Sequence, residues 1–327
     1  MDNLSTKTDK TKEVDSLSFF VAAVQAARPV HWIKNLALFA ALLFTGDLFE
    51  SLFFAKVFLA FLAFNFATSA TYIINDIFDA KSDRFHPIKK ERPVASGKLP
   101  VRFALIEALG LVGLALLLAT GLNPLFHYSV LTYLAIQVLY SLGLKNIPIL
   151  DILIIAVGFI VRVYAGAFVI NAHLSVWFLL CVISVALFLA SGKRRAELNI
   201  VKDADLITRK SLKRYKKELL NSYVTMFGNA SWMSWALFTF FESPKASLPV
   251  WLFLAEISRT TTVNKLLMIT IPIVIFGIMR YQALIFEGRS ETPEKILLTD
   301  KALVASIVLW TSVIVWILYG GISVHGI

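Results

Sequence analysis

The sequence predicts an all-α integral membrane protein of about nine transmembrane helices, and three observations predict it. Hydrophobic residues make up 57% of the 327 positions and the mean hydropathy is +0.72, too apolar for a soluble globular chain of this length. Apolar runs recur at 18–45, 52–75, 102–121, 124–142, 149–170, 173–191, 219–241, 264–283 and 302–320, each near the ~20 residues that a bilayer requires. Lys and Arg gather in particular connections: six in 81–100 and ten in 192–218, against none in 46–51 or 121–123 and two in 242–263. Basic connections stay cytoplasmic, so nine spans place the N-terminus inside and the C-terminus outside.

The net charge of +10 follows the same loops. Topology and anionic lipid explain it better than nucleic acid does. The lone Cys181 sits in an apolar run and excludes a disulfide framework and a thiolate metal site.

Residues 1–17 are polar, lack a cleavage site after a short apolar core, and read as a disordered cytoplasmic tail rather than a signal peptide. Residues 18–327 read as one transmembrane domain. Arg28-Pro29 interrupts the first apolar run, so its opening part should form a separate piece. Trp32 with its flanking cations reads as an interfacial anchor, or else the segment brings Lys34 and Asn35 to a polar cavity.

The chain is organised around Asn75–Gly97, NDIFDAKSDRFHPIKKERPVASG. If the preceding helix continues, spacings of three, four and seven put Asp76, Asp79 and Asp83 on one face, with Asn75 beside them. Three acids at the end of a membrane helix repel one another and are costly near hydrocarbon, which calls for a cation. Mg²⁺ takes one or two carboxylates and completes its shell with water and substrate phosphate. The following Arg84, Lys89, Lys90, Arg92 and Lys98 suit phosphate oxygens.

Tyr140-Ser141-Leu142-Gly143-Leu144-Lys145-Asn146 joins the fourth and fifth spans on the aspartate side, which favours a ligand role for Lys145 over simple anchoring. Arg162 lies within the fifth span; an intramembrane Arg faces a cavity or a partner, and Asp151 is the candidate partner. The sixth span ends in Lys193-Arg194-Arg195-Ala196-Glu197. The later run LITRKSLKRYKKELL reads as an amphipathic surface helix near anionic lipid. His86, in a loop before Pro87, is more readily structural than a base.

These residues carry a resemblance. NDxxDxxxDR followed by HPxKxxRPxASG resembles the first aspartate-rich motif of the UbiA superfamily of intramembrane transferases. The resemblance implies a UbiA-like helical bundle with a cytoplasmic-side active-site cavity, where Mg²⁺ held by Asp76, Asp79 and Asp83 binds a diphosphate. Tyr140 to Lys145 is similar to the Tyr-Ser-x-x-Leu-Lys motif that the superfamily places beside that diphosphate.

Arg28 to Asn35 is similar to RPxxWxKN, found near the start of the polyprenyl-phosphate phosphoribosyltransferase branch, and SGKRRAEL and the Arg280–Asp300 loop resemble the same branch. Prenyl-transferring members mostly carry a second aspartate-rich motif after the sixth span, where this chain has three cations and one Glu. Metal-binding acids facing a basic cluster suit a diphosphate beside a phosphate monoester.

The implied reaction moves 5-phosphoribosyl from 5-phosphoribosyl 1-diphosphate to a polyprenyl (decaprenyl) phosphate in an inner membrane, for a cell-envelope glycolipid. Asn75 would assist the aspartates, and Lys34, Tyr140 and Arg162 would line the pocket. Lys89, Arg92 and Lys145 would hold the soluble donor, and Lys193, Arg194 and Arg195 the lipid phosphate. A homo-oligomer is compatible with this reading. An ordinary prenyltransferase is the alternative enzyme. A transporter is disfavoured, because paired inverted repeats are lacking and the charges gather at one face.

Overall fold

The computed structural model describes residues 16–85, 89–203, 211–242, 263–287 and 298–320. The tail up to residue 15, His86, Arg209, Lys210 and the 288–297 part of the last loop lie outside the described residues. Every regular element among the described residues is helical. In order they are α1 (Ser16–Ala27), a 3-10 segment (Pro29–Leu38), α2 (Phe39–Thr45), α3 (Ser51–Asp83), α4 (Val101–Thr120), α5 (Pro124–Leu142) and α6 (Leu150–Val169). Then come α7 (Val176–Asp203), α8 (Lys217–Phe241), a 3-10 segment (Val263–Thr270), α9 (Ile271–Phe286) and α10 (Lys301–Tyr319).

Among the described residues, seven helical stretches are long and apolar enough to cross a membrane: α3 to α6, Val176–Asn199 of α7, Lys265–Phe286 and α10. Two of the nine expected spans differ. The first is broken into α1, the 3-10 segment and α2, none of them long enough alone. The break lies where Pro29 withholds a backbone donor and Arg28 adopts a left-handed φ of 51°. The second is α8, which has 25 residues but carries Asn221, Ser222, Asn229, Ser231 and Ser234 along its length.

α6 is central. It packs on the broken first segment, α5 and α7, while α3 lies against α4 and α7 against α8. Ala165, Ala167 and Val169 join a core with Leu42, Phe64, Phe126 and Tyr133. Val163 joins a second core with Trp235, Phe238, Leu267 and Ile317. Lipid offers no hydrophobic drive between helices, so close backbone approach matters more. At Gly166 a Cβ would stand 2.0 Å from the carbonyl oxygen of Leu38. Only glycine admits the 3-10 segment there. α4 instead turns Phe103, Ile106, Leu109 and Leu117 outward, as a lipid-facing helix should.

The same junction holds the intramembrane arginine. Arg162 donates to Asn35 Oδ1 at 2.6 Å, to the Gly158 carbonyl at 2.7 Å and to the Tyr133 hydroxyl at 2.9 Å, and lies over the Tyr133 ring at 4.7 Å. Asn35 in turn donates to Asn65 Oδ1 at 2.7 Å. The expected partner Asp151 is wrong: it sits eleven residues earlier on α6, about 16 Å along the axis. Arg162 is therefore a buried joint between the broken segment, α5 and α6.

Gly166→Ala should lower the stability of the detergent-solubilised protein by about 1–3 kcal/mol. Gly110→Ala, with nothing within 4 Å of its added methyl, is the control. Equal melting temperatures for the two variants would contradict the close approach.

Candidate active site

α3 does continue through the aspartates. Its last turns present Asn75, Asp76, Asp79 and Asp83, with Asp76 and Asp83 buried. Each carboxylate meets a cation from a different part of the chain. Asp76 Oδ1 accepts from Arg28 Nη2 at 2.6 Å and from Arg92 Nη1 at 3.1 Å. Arg92 also reaches Asp83 Oδ2 at 2.6 Å, bridging two acids.

Lys145 Nζ donates to both oxygens of Asp79, at 2.7 and 3.0 Å. It stands on a 3-10 turn (Leu144–Asn146) between α5 and α6. Asn75 ties the face together: it donates to Asp79 Oδ2 at 3.2 Å and accepts from Ser141 at 3.2 Å and Lys145 at 3.4 Å. Lys89, half-buried, acts on the charge of Asp83.

One turn before Asp76, Tyr72 collects the start of the chain. Lys34 Nζ lies 3.4 Å from its hydroxyl, the Arg28 guanidinium is 5.0 Å from its ring centre, and the His31 ring packs at 4.9 Å. Sequence reasoning assigns no site role to Arg28, Tyr72 or Ser141. Arg28 and Ser141 lie inside the motifs quoted above, and Tyr72 precedes Asp76 by four residues, on the same helix face.

The cations at the end of α7 do not form one wall. Arg194 is fully buried. It donates to Glu197 at 2.6 Å and to the Tyr140 hydroxyl at 2.7 Å. Its Nε lies 2.6 Å from Asp151 Oδ2, an ion pair without hydrogen-bond alignment. Arg195 turns to α8, donating to Asn221 Oδ1 at 2.5 Å and to Asn199, over the Phe286 ring. Neighbours on a helix diverge by about 100°. Arg194 thus meets Tyr140, the chain neighbour of the Ser141 that donates to Asn75, and Arg195 turns to other partners. Lys193 is half-buried and projects on the other side of Arg194 from Arg195.

The expected amphipathic surface helix is also not what the described residues show. Leu212–Arg214 make one 3-10 turn and α8 begins at Lys217, because Ser211, Leu212 and Tyr215 turn inward and are buried. At the far loop, Arg280 holds Asp300 through two hydrogen bonds of 2.6 and 3.1 Å, and Asp300 caps α10 by accepting from Leu303 N. The Arg280 guanidinium keeps the Asp300 carboxyl down at about 2. This pair fastens α9 to α10.

Crowding of acids alone does not call for a metal here, because protein cations already offset it. Among the described residues, no three His, Cys, Asp or Glu side chains close around one point as metal ligands. The donor set nevertheless fits a hard divalent ion. Asp76 Oδ2 is buried with no hydrogen-bond partner, and the oxygens of Asp76, Asp79 and Asp83 share a helix face.

The chain is similar to known proteins along most of its length. The family model described as UbiA prenyltransferase family matches residues 35–255. A decaprenyl-phosphate phosphoribosyltransferase of Corynebacterium glutamicum is 34% identical over 90% of this chain and 86% of its own. One from Mycolicibacterium smegmatis is 35% identical over 89% of this chain and 90% of its own. Among solved structures, a UbiA homolog from Archaeoglobus fulgidus bound to GPP and Mg2+ superposes with a TM-score of 0.65 at 20% identity, covering 93% of this chain and all of that one. A helical bundle with an aspartate-lined helix end, matched by the family model over more than half its length, belongs to a multi-pass membrane enzyme of the UbiA prenyltransferase family.

Proposed function

We propose that this transferase moves 5-phosphoribosyl from 5-phosphoribosyl 1-diphosphate to a polyprenyl (decaprenyl) phosphate, releasing pyrophosphate, at the cytoplasmic face of an inner membrane. The observation that carries the reading is the identity of 34% and 35% to two decaprenyl-phosphate phosphoribosyltransferases over about nine-tenths of the chain. The supporting geometry is a row of carboxylates interleaved with Arg28, Arg92 and Lys145.

Asp76, Asp79 and Asp83, with Asn75 assisting, are the residues that would hold Mg²⁺. When bound, the ion offsets charge on the departing pyrophosphate. Lys89, Arg92 and Lys145 bind phosphate oxygens of the donor, joined by Arg28, and so orient its anomeric carbon. The acceptor phosphate is already anionic at neutral pH, so no side chain needs to remove a proton. Lys193 would hold the acceptor phosphate, and Lys34, beside Tyr72, would line the pocket. Arg194, engaged by Asp151, Glu197 and Tyr140, holds Tyr140 in place. Arg195 and Arg162 are assigned to packing, since both are buried among protein partners.

The A. fulgidus homolog bound to GPP favours a second reading, isoprenoid transfer from a prenyl diphosphate. Incubating purified protein and Mg²⁺ with labelled phosphoribosyl diphosphate and polyprenyl phosphates separates the two readings. Label entering the organic phase supports the first. Transfer only from a labelled prenyl diphosphate would replace it.

Asp79→Asn removes the charge that Lys145 faces and should cut transfer by about 100-fold or more; the variant still inserts and unfolds cooperatively, at a lower temperature than wild type, because the buried Lys145 loses its counter-charge. Near-normal turnover would remove Asp79 from the site. Lys193→Ala should raise KM for polyprenyl phosphate about tenfold with little change in KM for the sugar donor. Equal increases for both substrates would undo the division of the site.

A further inference from the structure

The chain after α7 folds back on the turn that carries Lys145. The Ser211 hydroxyl lies 3.0 Å from the Lys145 carbonyl oxygen and 3.3 Å from Asp151 Oδ2. The Tyr215 hydroxyl accepts from Ile149 N at 2.5 Å and donates to Asp151 Oδ1 at 2.7 Å. Asp151 is fixed on its other side by the buried Arg194.

Between these anchors, Ile149 stands at φ 71° and ψ −48°. A β-branched residue with positive φ is a backbone outlier that persists only where its surroundings hold it. Here the surroundings are Tyr215 and Asp151. Four residues earlier, Lys145 puts its ammonium on Asp79. The strained joint thus sets where the Lys145 turn meets the aspartate helix.

We propose that Ser211 and Tyr215 act as a latch: by holding the strained Ile149 backbone they position Lys145 against Asp79 and so set the affinity of the site for a diphosphate. They are positioning residues, since neither contacts the carboxylates of α3 in the structure. The inference rests on the aspartate face being a diphosphate site, whichever group that diphosphate carries. Burial pushes the Tyr215 phenol above its ordinary range, so it remains a proton donor to Asp151 at neutral pH.

The test compares wild type, Tyr215→Phe and Tyr215→Phe with Ile149→Gly, all as the full chain in detergent. Hydrogen exchange of the metal-free protein reads the 144–152 backbone, and calorimetry reads affinity for inorganic pyrophosphate with Mg²⁺. Tyr215→Phe should accelerate exchange across 144–152 and weaken pyrophosphate about tenfold. Glycine at 149 accepts positive φ without strain, so the double variant should recover most of the affinity.

Unchanged pyrophosphate affinity in Tyr215→Phe, or a loss that glycine at 149 does not recover, would overturn the latch. If Tyr215→Phe fails to fold, Ser211→Ala takes its place. It should weaken pyrophosphate by about threefold, and no weakening would overturn the proposal. Because pyrophosphate is the probe, a wild type that binds it but transfers no phosphoribosyl would refute the proposed donor and still leave the latch to be judged.

Discussion

The structure depends on compensating carboxylates at the end of a membrane helix. Asp76 and Asp83 are buried where α3 ends, and an acid there is tolerated only with a cation and aligned hydrogen bonds. The cations come from three separate places: Arg28 at the break in the first segment, Arg92 in the loop after α3, and Lys145 between α5 and α6. Such pairs add little net stability, but removing one partner strands a charge and is expensive. The ion pairs therefore hold three connections at one point. Arg28 shows the effect directly, since its left-handed backbone and its place over the Tyr72 ring both accompany its contact with Asp76.

A second charged centre lies beside the first. Arg194 and Asp151 are both fully buried, and Glu197, Tyr140, Ser211 and Tyr215 complete their contacts. Tyr140 and Lys145 sit at the two ends of one short connection, so the two centres share it. The first centre is partly open, with Asp79 and Arg92 about a quarter exposed, as a site admitting polar ligands must be. In the second, the Arg194–Asp151 pair is sealed from solvent while Glu197 reaches the surface, and its worth lies in fixing α5, α6 and α7 relative to one another.

Much of this was legible in the sequence, where the signal is local. Helical register through Asn75–Asp83 followed from spacings of three, four and seven, and the break at Pro29 from its missing donor. Lys145 was legible because its connection had to fall on the aspartate side. Pairings across long separations were not. Arg162 meets Asn35, 127 positions away, and nothing in either segment's periodicity names the other. Three adjacent cations looked like one cluster, yet helix geometry sends Arg194 and Arg195 to different neighbours. The 206–220 pattern suited an amphipathic surface helix, but two of its polar side chains, Ser211 and Tyr215, are turned inward by Asp151.

The alternation of acids and bases in the open centre bears on how a diphosphate would be received there. A diphosphate alone satisfies only Arg28, Arg92 and Lys145, and by drawing them away it would leave three carboxylates facing one another near hydrocarbon. A diphosphate accompanied by a divalent ion would satisfy both sets at once, the cations taking phosphate oxygens and the carboxylates the ion. Every ion pair that opens is then replaced by another of opposite charges. On the proposed reaction this exchange favours the metal-bound donor over the free anion, and the selection comes from charge balance along one helix face rather than from a preformed cage of ligands. Asp76 Oδ2, buried without a hydrogen-bond partner, would acquire one there without surrendering another.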